Sequence, residues 1–156
     1  MIDKITNYPL DQLRIGQTAV YEKTCTQQGI ALFAAASGDI NPLHLDNHYA
    51  ATTEFGQVIA HGMFTGALIS AAIALKLPGP GSIYMGQSIK FKAPVFINDL
   101  ISVSLEITKI RRGIVTLDCA VTKQTGQLVA AGEATVMAPK DKITIDKPVQ
   151  PSFKPI

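Results

Sequence analysis

Two hydrophobic patterns divide the chain. Up to about residue 80 one alternating run is followed by apolar residues at helical spacing, and from Ser82 onward the apolar residues alternate. In the first part, Asp11 to Ile15 reads as a short lead-in, and Thr18 to Lys23 alternates as a strand does. Thr26 is a candidate N-cap for a helix running through Ala36, with Ile30, Leu32, Phe33 and Ala36 apolar. Gly38 permits a left-handed stop, and Pro42 pushes Asn41 into extended geometry, so Ser37 to His44 is expected to be a fixed loop. His61 to Lys76 predicts a second helix that is apolar nearly all round and carries the small residues Gly66, Ala67, Ser70, Ala71, Ala72 and Ala74. A helix without a polar face lies inside something.

The alternating part predicts four strands: Ile83 to Phe91, Leu100 to Ile110, Ile114 to Lys123 and Leu128 to Met137. Their short connections make the sheet antiparallel. An apolar helix followed by such strands buries both surfaces only if the sheet curls around the helix, which is an α+β architecture. The reading is one domain over residues 1–138, followed by an irregular, peripheral tail over 139–156 that is rich in Pro and Lys. A single curled sheet leaves edge strands open and the helix partly uncovered, so at least a homodimer is expected.

Composition narrows the partners. Hydrophobic residues make up 47% and charged residues 17% of the chain, which excludes bulk disorder. The net charge is +2 and the basic residues are scattered, so nucleic acid is not an expected partner. Met63 to Leu75 falls short of the roughly 20 residues a membrane span needs, and Met1 to Asp11 lacks a signal-peptide pattern. Cys25 and Cys119 show neither CxxC spacing nor clustered histidines, and are read as reduced and buried in a cytoplasmic protein.

Two constellations carry candidate chemistry. F-A-A-A-S-G-D-I-N-P-L-H, from Phe33 to His44, places the carboxylate of Asp39 and the imidazole of His44 on one turn behind a helix. The plainer alternative is that Asp39 caps the turn and His44 packs against Leu45. A-H-G-M-F-T-G puts Gly62 at the first turn of the apolar helix, where unsatisfied N–H groups and the helix dipole favour developing negative charge. There the alternative is a helix start with glycine for close packing. Taken together, the two segments would offer a base, an acid and an oxyanion stabiliser.

S-G-D-I-N-P-L-H, the following H-G-M, and F-K-A-P-V-F-I-N-D before a long strand resemble the MaoC-like (R)-specific enoyl-CoA hydratases, which have the hot-dog fold. The resemblance runs from about Leu13 to Pro139, with Asn98 standing where relatives often have glycine, and it assigns no role to the tail. It implies that Asp39 and His44 are the catalytic pair and that Gly62 polarises the thioester. Asn41 would hold the water or orient His44, or else simply fix the turn. Leu43, Phe55, Met63, Phe64 and Leu68 are candidates for an acyl slot, and Lys90, Lys92, Arg111 and Arg112 for the phosphates of coenzyme A. His61 is expected to pack or cap, and His48 has no assigned role. The implied reaction is reversible hydration of trans-2-enoyl-CoA to (R)-3-hydroxyacyl-CoA, needing neither metal nor redox cofactor, with an acyl-CoA thioester as partner. A dehydratase acting on acyl-carrier-protein thioesters, or a non-catalytic thioester-binding subunit, would keep the same residues. A hot-dog thioesterase fits less well, because the loop presents a hydratase-type pair.

Overall fold

The structure is a computed structural model that describes residues 3–153. In chain order it contains β1 (Lys4–Thr6), a 3-10 turn (Leu10–Gln12), β2 (Thr18–Thr24), α1 (Gln27–Ser37), α2 (Pro42–Leu45), α3 (Asn47–Ala51), α4 (Gly62–Leu75), β3 (Ile83–Phe91), β4 (Leu100–Arg111), β5 (Ile114–Lys123), β6 (Leu128–Met137) and β7 (Thr144–Asp146). β2 to β6 except for their order form one antiparallel five-stranded sheet, β2-β4-β5-β6-β3, and β1 pairs with β7 in a separate ribbon. This is the α+β architecture that the strand and helix patterns predict and the hot-dog fold that the family resemblance implies, with an open sheet.

Strand alternation explains which face the helix sees. Ile101, Val103, Leu105 and Ile107 of β4, and Val115, Leu117, Cys119 and Val121 of β5, point into the core and are essentially without exposure. They meet Ile69, Ala72 and Ile73 of α4 in one contiguous cluster. At about 25 cal/mol per Å² of apolar surface buried, this contact is the main term holding helix to sheet. The other face of α4 stays open, since Met63, Ala67, Ser70 and Ala74 form an exposed stripe at helical spacing. On the β3 edge Ile83, Met85 and Phe91 are also exposed.

Several local expectations are met. The Thr26 hydroxyl caps α1 by accepting from the Gly29 N–H, and Gly38 ends α1 with φ 78°, a left-handed value that its missing side chain makes inexpensive. Asn98 takes the left-handed φ of 73° that glycine would otherwise supply. The expected loop over Ser37 to His44 is corrected in its second half: Pro42–Leu45 closes a helical turn, with Pro at its start and the Asn41 side chain capping the Leu43 N–H. α3 follows because Asp46 accepts from the N–H groups of His48 and Tyr49.

The tail is extended and exposed over much of its length, but it forms β7 at Thr144–Asp146 instead of staying irregular throughout. Asn7 secures it. Fully buried, its side chain donates to the carbonyls of Pro80 and Asp141 and accepts from the Ile143 N–H.

Candidate active site

The site forms where the turn after α1 meets the start of α4. Asp39 follows the left-handed Gly38 and is exposed, and its carboxylate accepts from the Asn41 N–H at 3.2 Å. The turn-capping alternative is therefore realised by the same carboxylate that the chemistry would use. His44 is on α2, only 9% exposed, and its Nδ1 lies 2.8 Å from the Ile59 carbonyl. A carbonyl only accepts, so Nδ1 carries the proton of the neutral ring, and Nε2 keeps its lone pair.

His61 completes the group. It stacks on His44 with centroids 3.8 Å apart and planes 30° from parallel, and its Nε2 donates to the Asp39 carbonyl at 2.9 Å. One carboxylate oxygen of Asp39 and one ring nitrogen from each histidine lie within 4.8 Å of one another. Such a donor set can bind a divalent cation, but two stacked rings direct their in-plane lone pairs side by side. One nitrogen of each ring donates to a backbone carbonyl, which fixes the tautomer and leaves the other nitrogen with its lone pair.

Gly62 opens α4 directly after His61. Among the described residues neither the backbone nor a side chain accepts from its N–H, and the His61 side chain makes no capping bond. This free donor sits at the positive end of a 14-residue helix. In front of it lies a cavity of about 340 Å³ whose walls include Phe55, Ile59, His61, Gly62, Phe91 and Pro94. A Cβ built on Gly62 would come within 3.1 to 3.2 Å of the Phe91 ring, so a larger residue here would crowd the cavity wall.

The other sequence candidates are scattered. Phe55 lines the cavity. Asn41 spends its side-chain oxygen on the Leu43 N–H. Leu43 packs against the core, Phe64 and Leu68 are buried in it, and Met63 is exposed on the open face of α4. Lys92 is at the cavity wall, while Lys90, Arg111 and Arg112 are exposed elsewhere on the strands and the β4–β5 turn. Sequence reasoning gave no site role to the cavity residues Phe91, Ala93, Pro94 and Val95, although the F-K-A-P-V string had already stood out as a motif. His48 is exposed on α3.

Behind the site, Ile59 forms an isolated bridge with Phe96. The segment holding Phe96 is fixed by Asp99, which accepts from the Phe96 N–H at 2.8 Å and pairs with Lys123 at 3.0 Å. Burial opposes ionisation of Asp99, yet the Phe96 N–H, Lys123 and Gln124 outweigh it and hold the carboxyl below its ordinary range. Burial also raises both cysteine thiols to about 11.

Comparison with known proteins fits this geometry. The profile of the MaoC-like domain family matches residues 12–127. The chain belongs to that family. A curated (R)-specific enoyl-CoA hydratase of Rhodospirillum rubrum is 44% identical over 142 residues, which cover 88% of this chain and 95% of the relative. Among solved structures, the unliganded R-hydratase PhaJ1 of Pseudomonas aeruginosa superposes with a TM-score of 0.93 at 44% identity, covering 97% of this chain and 99% of that one. The Aeromonas caviae (R)-hydratase involved in PHA biosynthesis gives 0.79 at 45% identity, covering 81% and 98%. This MaoC-like chain therefore matches nearly the full length of hydratases sharing almost half its residues.

Proposed function

We propose that the protein is an (R)-specific enoyl-CoA hydratase that adds water reversibly across trans-2-enoyl-CoA to give (R)-3-hydroxyacyl-CoA. The observation that carries this reading is a ring nitrogen of His44 within 4.8 Å of an Asp39 carboxylate oxygen, beside a Gly62 N–H that no described residue uses. In this mechanism a water held by Asp39 and His44 loses a proton to the pair, and its oxygen adds to C3. The electron pair of the double bond moves toward the thioester, whose oxygen gains charge and is met by the Gly62 N–H. The pair then delivers a proton to C2, and the enzyme ends as it began. The cavity before Gly62, lined by Phe55 and Phe91, receives part of the thioester substrate, and Lys92 at its wall suits an anionic carrier.

The working form proposed is a homodimer, because the exposed apolar edge of β3 and the uncovered stripe on α4 need a cover that one chain does not supply. Two buried free thiols suit a reducing cytoplasm. No helix among the described residues is long and apolar enough to cross a membrane. Supply of hydroxyacyl precursors for polyester synthesis is the proposed use, in line with the Aeromonas relative. The test is incubation with crotonyl-CoA, following loss of the enoyl absorbance and then resolving the product on a chiral phase. Loss of absorbance with an (R) product supports the reading; an (S) product, or no turnover of crotonyl-CoA or of any longer trans-2-enoyl-CoA in a panel, overturns it.

A further inference from the structure

His61 occupies a position that local helix rules do not explain. An N-cap favours Ser, Thr, Asp or Asn, whose short side chains reach the first-turn N–H groups. His61 stands at the N-cap of α4 and makes no such bond. Its ring instead turns inward to 2% exposure, lies face to face with His44, touches Phe33 at 4.9 Å between centroids, and donates from Nε2 to the Asp39 carbonyl. Its Nδ1 is buried with no hydrogen-bond partner among the described residues. A purely packing ring would not need the Nε2–H, and a purely bonding side chain would not need the ring. Leaving Nδ1 unpaired costs stability, so the position is poorly explained by folding alone.

We propose that His61 is a positioning residue, held neutral as the Nε2–H tautomer, which ties the Asp39 turn to the start of α4 and braces the face of the His44 imidazole. The carbonyl of Asp39 fixes the tautomer, because it can only accept. Protonating Nδ1 would bury a donor without an acceptor and set a cation against the face of His44, the ring that must itself take a proton. His61 thereby leaves the proton traffic to its neighbours while one backbone step links it to Gly62. The three reacting groups are held from one side chain: Asp39 through its backbone, His44 through its ring face, and Gly62 through the chain.

This role rests on the hydratase reading, so the test has one part that needs no turnover. In the full-length unsubstituted protein without substrate, imidazole nitrogen chemical shifts should report His61 as neutral with the proton on Nε2 at pH 7. A cationic ring or the Nδ1–H tautomer overturns the inference, whatever the reaction proves to be. The kinetic part compares His61→Gln with His61→Asn. The Gln amide reaches the position of Nε2 and the shorter Asn amide does not, although both lose the ring. His61→Asn should lose kcat by about tenfold to a hundredfold with KM nearly unchanged, the scale set by misplacing reacting groups by about 1 Å, and His61→Gln should retain several times more. In a His44→Gln background, His61→Asn should cost little further. Equal losses in the two variants, a change confined to KM, or full additivity with His44→Gln would overturn the role. If the unsubstituted protein hydrates no enoyl thioester, the reaction assignment fails, and the tautomer alone decides the fate of His61.

Discussion

Replacing Gly62 by valine should separate what this residue does for stability from what it does for chemistry. A Cβ at Gly62 lies 3.1 to 3.2 Å from three atoms of the Phe91 ring, a few tenths of an ångström inside ordinary contact. Phe91 is 50% exposed and can swing outward, at the roughly 1 kcal/mol of a side chain pushed off its rotamer. Valine recovers a few tenths of a kcal/mol of helix propensity over glycine, so the net stability change should stay within about 1 kcal/mol, or about 2 to 4 °C in Tm for a chain of this size. The two γ-methyl groups, however, stand before the only N–H proposed to meet the thioester oxygen. Loss of one such donor costs about a hundredfold to a thousandfold in kcat. Turnover of crotonyl-CoA per folded molecule and Tm by circular dichroism should be read on one preparation. In Gly62→Val combined with Phe91→Leu, Tm should recover and kcat should not. A fall in Tm of more than about 10 °C with kcat within about threefold of the parent would show that Gly62 only packs.

Other outcomes can be measured with the same material. Asp39→Asn and His44→Gln should each lower kcat by at least about a hundredfold in folded protein, as checked by circular dichroism and steady-state kinetics. Light scattering at micromolar concentration should give at least about twice the mass of one 16.7 kDa chain, and a monomer mass would refute the pairing of copies. Asp99→Asn should destabilise the protein at neutral pH by about 3 to 5 kcal/mol in urea titrations, because it strips the partner from a buried Lys123. The folded-state pKa of Asp99 is lowered, so its contribution is present above the ordinary carboxylate range and is lost as the pH falls through that lowered value. The gap between parent and variant should accordingly close in acid, and a gap independent of pH would refute this origin.

Much of the molecule was legible in the sequence because its signals are local. Strand alternation placed β3, β5 and β6 at their observed bounds, and Thr26 and Gly38 marked the ends of α1. Asp39 and His44 stood out because S-G-D-I-N-P-L-H resembles the loop of the hydratases, a turn that a glycine, an asparagine and a proline fix. The short helix α3 was missed, although Asp46 as its cap was the readable sign. Less local features could not be read. That His61 lies on His44 depends on Ala60 and Val95 joining across the chain, and on an Ile59–Phe96 bridge, which no spacing rule anticipates. The apolar residues nearest the motifs in sequence are mostly core, and the cavity before Gly62 draws its wall from β3 and the following loop. The tail lacks a long apolar alternation, so its strand is specified by Asn7 and β1 at the far end of the chain.

That ribbon of β1 and β7 has a bearing on the order of assembly. Asn7 meets Ile143 and Thr6 meets Thr144, so the contact closes almost the whole length of the polypeptide. Closing so long a loop costs only about 3 kcal/mol more than a tight turn, since the cost grows with the logarithm of length, but it returns few contacts, whereas the β4–β5 hairpin closes through a two-residue turn at Arg112 and Gly113. The hairpins and the helix they wrap can assemble early, and the ends of the chain then zip together last, like a clasp fastened over a finished body. Fraying would begin at that clasp and could proceed without disturbing the turn that holds Asp39 and His44.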